Sequence, residues 1–172
     1  MAPLTEASGP QLFDYGPMHT PPPRVAAWLP RGPGPHFVDM RLMCQAIVDE
    51  MAPRFERQGI TIDLSLCDAR ATAIGFAVQL YMAVRLVVKN ALRAMPNGGR
   101  LILRVERDPY VVVECGDSGP ERPASESTES RKIIEAHRGY VWHRRQPGGG
   151  TCVIIELPAG GPSASAPRRP AF

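Results

Sequence analysis

The chain has 172 residues, 44% of them apolar, enough for one domain of ordinary size with a hydrophobic core. Its formal net charge of +3 is mild, and the pairs Arg144-Arg145 and Arg168-Arg169 do not build the concentrated basic face, interleaved with aromatics, that a nucleic-acid binder needs. The opening MAPLTEASGP has no basic stretch followed by an apolar one, and no run of about 18 apolar residues exists, so neither a signal peptide nor a membrane span is expected and the reading is a cytoplasmic protein.

Residues 1–35 carry PPPR, WLPRGPGP and scattered Ser, Thr and Gly. Frequent proline removes amide donors and blocks helix and central strand, so this segment reads as a disordered arm. Phe13, Tyr15 and Trp28 are its candidate docking anchors, although lone aromatics in such an arm usually do nothing specific. From residue 36 to 158 the periodicity is regular. Phe37 to Met40 gives a short strand signal. Leu42, Ile47, Val48, Met51 and Phe55 recur at helical spacing up to about Gln58, with Pro53 inside and Gly59 as the stop. Ile60, Ile62, Leu64 and Leu66 alternate with polar residues, the pattern of a half-buried strand.

Residues from about Ala73 to Met95 are apolar nearly all round, which predicts a central buried helix. Pro96-Asn97-Gly98-Gly99 stops it. Leu101 to Leu103 and Val111 to Val113 read as strands joined at Asp108-Pro109. Ser130 to His137 reads as a short helix closed by Gly139. Tyr140 to Trp142 and Cys152 to Leu157 are the last strands, joined by Pro147 to Gly150. Residues 159–172 form a second segment that is disordered by composition. The four cysteines, Cys44, Cys67, Cys115 and Cys152, have no CxxC spacing and read as small buried hydrophobes rather than metal ligands or a disulfide pair. The order of elements, β-α-β-α-β-β-α-β-β, predicts an α/β fold, a two-layer sandwich with a mixed, mostly antiparallel sheet and about three helices on one face.

Four ordered blocks carry a resemblance. Leu86-Val87-Val88-Lys89-Asn90-Ala91-Leu92-Arg93 resembles the N-box of the GHKL superfamily, which includes gyrase, the large chaperones, histidine kinases and mismatch-repair ATPases. Pro96 to Gly99 followed by Leu101 to Leu103 continues the histidine-kinase version. Cys115-Gly116-Asp117-Ser118-Gly119-Pro120 matches the start of its glycine-rich box. Ile133 to Trp142 with Pro147 to Thr151 matches its last helix and hairpin. The resemblance implies a histidine-kinase-like ATP-binding domain over residues 36–158, with ATP and Mg²⁺ as cofactors. It implies that the Asn90 amide oxygen helps hold Mg²⁺, which suits a hard cation. Arg93 would reach the phosphates. Asp117 would accept a hydrogen bond from the adenine amine, Gly119 would let the backbone approach the base, and Thr151 is a further adenine-side candidate.

The chain departs from the family at the phosphate side. Leu86 stands where a second Asn or a Glu is frequent, and Glu121 replaces a second glycine. Arg122 to Glu129 contains no glycine, although a glycine box there would cradle the triphosphate at a helix N-terminus. Glu126 and Glu129 complement the helix dipole but repel phosphates. A carboxylate about 5 Å from one phosphate charge costs roughly 3 kcal/mol at an effective dielectric near 20, or about a hundredfold in affinity. The expectation is therefore weak nucleotide binding. No two-helix region carries a phosphoacceptor: His19 and His36 lie in or beside the arm, and His137 and His143 read as structural or surface residues. The expected partner is a protein, either a response regulator or the other half of a split kinase. The alternatives are an inactive pseudo-ATPase acting as a docking module and an anti-sigma-type protein kinase, although the PGGGT hairpin and EAHRG helix resemble sensor kinases more.

Overall fold

The computed structural model describes residues 34–107, 109–120, 128–146 and 148–160. Residues 1–33 of the proline-rich arm, Glu121 with the glycine-free stretch 122–127, and 161–172 of the tail lie outside the described residues, as do Asp108 and Pro147 of the two turns. The described elements run β1 (His36–Asp39), α1 (Met40–Gln58), β2 (Ile60–Leu66), β3 (Thr72–Gly75), α2 (Ala77–Ala94), β4 (Gly99–Arg107), β5 (Val111–Asp117), α3 (Thr128–Ala136), β6 (Tyr140–Arg145) and β7 (Thr151–Leu157). Five strands form one sheet in the order β2-β4-β5-β7-β6, and β1 and β3 form a separate antiparallel pair. β2 runs parallel to β4, and the remaining pairings are antiparallel. The expected two-layer sandwich is what the chain forms.

Alternation along the strands explains the layering. Residues directly opposite one another share a face. Leu101, Leu103, Val105, Val111, Val113, Cys115, Val141, Ile155 and Leu157 are buried on the face that carries the helices. Arg104, Glu114, Trp142 and Arg144 stand on the other, where Glu114 sits between Arg104 (3.5 Å) and Arg144 (3.5 Å). These half-exposed pairs add little stability. The inner face does most of that work: truncating a fully buried leucine such as Leu103 costs about 2–5 kcal/mol.

α1 starts where Asp39 accepts from the Arg41 amide at 3.0 Å, and ends at Gly59, whose φ of 64° is the left-handed conformation glycine tolerates best. It buries Met40, Met43, Cys44, Ile47, Met51 and Phe55. The stripe is rotated from the one read in sequence, because Leu42 is 61% exposed and Met40, Met43 and Cys44 take the core instead. Pro53 stays within the helix.

The segment from Ala73 does not begin a helix. Thr72–Gly75 is β3, which pairs with β1 in the register His36↔Gly75 to Asp39↔Thr72, and α2 begins at Ala77. Two local features override the apolar run. Gly75 is a poor helix residue, and Phe76 is extended at φ −76°, ψ 108°. A Cβ at residue 75 would also lie 2.8 Å from His137 Nε2, so glycine lets this strand pass the end of α3.

His137 holds that junction. Its Nε2 accepts from the Phe76 amide at 3.0 Å, and its Nδ1 lies 2.7 Å from the Ile133 carbonyl oxygen. Accepting on Nε2 leaves Nδ1 as the donor, so the ring is neutral. Burial pushes its pKa below the usual histidine value, against the opposing hydrogen bond to Ile133. Between α1 and α2, Glu50 accepts from the Tyr81 hydroxyl and from Arg85 Nε at 3.0 Å. Burial and then Glu50 push the Tyr81 hydroxyl pKa up. Cys44, Cys115 and Cys152 are buried, whereas Cys67 is only half-buried. Burial raises the Cys44 thiol to about 12.

After β7 the chain is pinned two residues beyond Pro158. Ala159 bridges Ala73, and the Gly160 amide donates to the Thr72 oxygen at 2.5 Å. Both residues belong to the segment whose composition reads as disordered, and backbone pairing with β3 holds them.

Candidate functional site

Two structural units supply the candidate residues. The first is the end of β5. Asp117 is its last residue, opposite Leu101 on β4, and is 6% exposed. Its Oδ1 accepts from the Gly119 amide at 3.0 Å, so the carboxylate organises its own turn. Ser118 fixes the next backbone unit: its hydroxyl oxygen accepts from the Arg100 amide at 2.9 Å, and its own amide donates to the Arg100 carbonyl at 3.1 Å. Gly119 then passes against the last turn of α2, where a Cβ would run into the Ala94 carbonyl. Helix packing alone therefore requires the glycine that the resemblance assigned to base approach.

Thr151 opens β7 beside this turn. The β5–β7 register reaches Gly116↔Cys152, and Asp117 and Thr151 are the next residues along each strand. Gln146 fastens the two together. Its Nε2 donates to the Asp117 carbonyl at 2.8 Å and reaches the Thr151 carbonyl at 3.4 Å. Its amide donates to Gly150 at 3.1 Å, and its carbonyl accepts from Gly149 at 3.1 Å. Gly116 lies beneath it, where a Cβ would come within 2.6 Å of Gln146 Nε2. Gly150 has φ 94°, and a Cβ there would strike the Asp117 carbonyl. Sequence reasoning missed Gln146. Its one signal was its place immediately before the glycine turn, which says nothing about reach to a strand 29 residues earlier.

The second unit is the C-terminal half of α2. Asn90 is half-buried and Arg93 exposed. Arg93 Nη1 donates to Asn90 Oδ1 at 3.3 Å, so the two candidates contact each other. The Ala94 carbonyl that meets Gly119 lies one turn beyond Asn90 and joins the two units. Leu86 sits one turn before Asn90 and is half-buried. Arg85, two turns before Arg93 on the same helix, is engaged by Glu50. The structure thus brings Asp117, Gly119 and Thr151 into one hydrogen-bonded cluster and places Asn90 and Arg93 on the neighbouring helix.

The site residues suit a nucleotide. A carboxylate at a strand end, such as that of Asp117, has the chemistry to accept a hydrogen bond from an amine. A cation that arrives on phosphates needs only one or two protein oxygens. No group of three or more His, Cys, Asp or Glu side chains placed to hold a metal occurs among the described residues. No described helix is long and apolar enough to cross a membrane.

No family model matches the chain. Among curated proteins, it is 26% identical over 148 residues to the adaptive-response sensory kinase SasA of Thermosynechococcus vestitus, covering 70% of this chain and 38% of that one. It is 29% identical over 159 residues to the sensor protein kinase PmrB of Pseudomonas aeruginosa, covering 77% of this chain and 32% of that one. The chain thus spans about a third of the length of these relatives. Among solved structures, the nucleotide-free catalytic domain of histidine kinase ThkA superposes with a TM-score of 0.68 at 16% identity, over 74% of this chain and 97% of that one. Full-length ShkA in complex with AMPPNP gives 0.66 at 18% identity, over 84% of this chain and 35% of that one. The described fold is that of histidine-kinase catalytic domains.

Proposed function

We propose that this domain is the nucleotide-binding unit of a two-component-type signalling system, with an intact adenine side and a weakened phosphate side. The observation that carries the reading is the buried Asp117 carboxylate, held by the Gly119 amide and fastened through Gln146 to Thr151 at the end of the sheet. Asp117 would accept from the adenine amine, with Thr151 beside it. Asn90 would offer its amide oxygen to a nucleotide-borne Mg²⁺, and Arg93 a guanidinium to the phosphates. When bound, ATP with Mg²⁺ would supply the transferable phosphoryl group.

Three features support weak binding. Leu86 can neither ligate a cation nor orient water. Residues 122–129 have no glycine. Glu129 occupies the first turn of α3, where its charge opposes a phosphate at that helix end. Among the described histidines this reading takes none as a phosphoacceptor: His137 is buried and committed at both nitrogens, and His36 and His143 lie on strands. The phosphorylated histidine would come from elsewhere, with a response regulator or a complementary kinase half as partner.

Calorimetric titration with ATP and ADP, with and without Mg²⁺, tests the proposal. Weak binding lost in Asp117→Ala is the expected result. Micromolar, Mg²⁺-dependent affinity would overturn the weakened phosphate side. No binding at all, with partner binding unchanged in Asp117→Ala and Asn90→Ala, would favour an inactive docking module, the reading that the glycine-free stretch and Leu86 support.

A further inference from the structure

The β1–β3 pair turns Val38 and Ala73 into the core, at 2% and 0% exposure. On its other face stand Phe37 and its cross-strand partner Ile74, at 67% and 50%. They are among the few large apolar side chains left exposed, and they lie side by side. Both ends of the described chain meet here. Gly34 is three residues before Phe37. Gly160 lies against the pair: a Cβ there would be 3.0 Å from Phe37 Cδ1 and 3.2 Å from Ile74 Cγ1. Gly160, the last described residue of the C-terminal segment, brings no side chain to the pair.

We propose that the proline-rich arm folds back on its own domain, with Trp28 and Leu29 covering Phe37 and Ile74. Val25-Ala26-Ala27-Trp28-Leu29 is the longest apolar run in the first 35 residues. Trp28 lies nine residues before Phe37. A tether this short gives an effective concentration on the order of millimolar where the chain turns back at Gly32. Pro30, Pro33 and Pro35 restrict the tether and lower the entropy lost on docking. Tryptophan brings a large apolar surface with few rotatable bonds. The C-terminal segment is a poorer occupant, because its one large apolar residue is Phe172, twelve residues beyond Gly160.

The chain has two tryptophans, so Trp142→Phe leaves Trp28 as the sole reporter in the full chain. In that background Trp28 emission is expected to be blue-shifted and shielded from acrylamide at every protein concentration. Adding Phe37→Ser and Ile74→Ser should move the emission to the red and raise quenching to that of a peptide of residues 20–35, with the far-ultraviolet circular dichroism unchanged. Peptide-like emission at the outset overturns the proposal, and so does shielding that survives both serines. Shielding that appears only as sedimentation reports a dimer also overturns it, in favour of a second copy on this face. Should the serine variant not fold, Trp28→Ser serves instead, since it alters no residue of the described core. Faster amide exchange at Phe37 and Ile74 is then expected, and unchanged exchange refutes arm docking.

Discussion

The end of the sheet at Asp117 and the C-terminal half of α2 are built by different rules. At the sheet end, every candidate is fixed by backbone geometry. Asp117 is bound to the Gly119 amide, Gly119 is pressed on Ala94, and Gln146 ties Asp117 to Thr151. On α2, Asn90 and Arg93 meet through a long side-chain contact of 3.3 Å, and the position one turn earlier is the apolar Leu86. The fold itself needs the first region, because β5, β7 and α2 meet there.

Substitutions on the two sides should separate them. Asp117→Ala removes a charged acceptor, a change of about 1.5–3 kcal/mol, or roughly ten- to hundredfold in nucleotide affinity. The loss should be equal with and without Mg²⁺ in calorimetry. Asn90→Ala should lose less, and only when Mg²⁺ is present. An equal loss in both variants would erase the distinction drawn here. Gly119→Ala tests the mechanical half. Forcing a methyl against the Ala94 carbonyl should cost about 1–3 kcal/mol, read as a lowered midpoint in urea with an unchanged slope. An unchanged midpoint would mean that the strand end yields freely.

The junction at His137 gives a pH dependence unrelated to nucleotide. Burial holds its folded-state pKa below the unfolded value, so the unfolded chain takes up the proton first as pH falls. Stability should therefore be fully present above about pH 6.5, and decline below it by at most about 1.4 kcal/mol per pH unit for one proton. Denaturant melts at several pH values check this. His137→Gln should be less stable at neutral pH and should lose this histidine's share of the slope.

Much of this was legible in the residues, for identifiable reasons. Strict alternation set β2, and the apolar runs of β4, β5 and β7 set the sheet. The β3 strand was hidden because Ala73 and Ile74 continue smoothly into the apolar α2. Only pairing with β1, more than thirty residues away, makes them extended. The rotated stripe of α1 had a similar cause: which of Leu42 and Met43 faces the core depends on where the sheet lies. Asp117 and Gly119 came to notice through the resemblance carried by the Cys115 to Pro120 block, which is local in sequence. Gln146 did not, because its function depends on strand register rather than on its neighbours.

The smallest expected effect sharpens the comparison most. Leu86 is half-buried one turn before Asn90, so an asparagine there stands on nearly the same helix face. Leu86→Asn gives the phosphate side a second amide and forfeits part of an apolar contact. If Leu86 limits binding, ATP affinity with Mg²⁺ should rise by about fivefold to tenfold, close to 1 kcal/mol, with no change when Mg²⁺ is removed. A matched titration of both variants in calorimetry reads this directly. A rise without Mg²⁺ would show that the amide acts on the nucleotide rather than through the cation. No rise at all would move the defect away from α2 to the glycine-free stretch and to Glu129, whose charge at the start of α3 would then be the next group to neutralise.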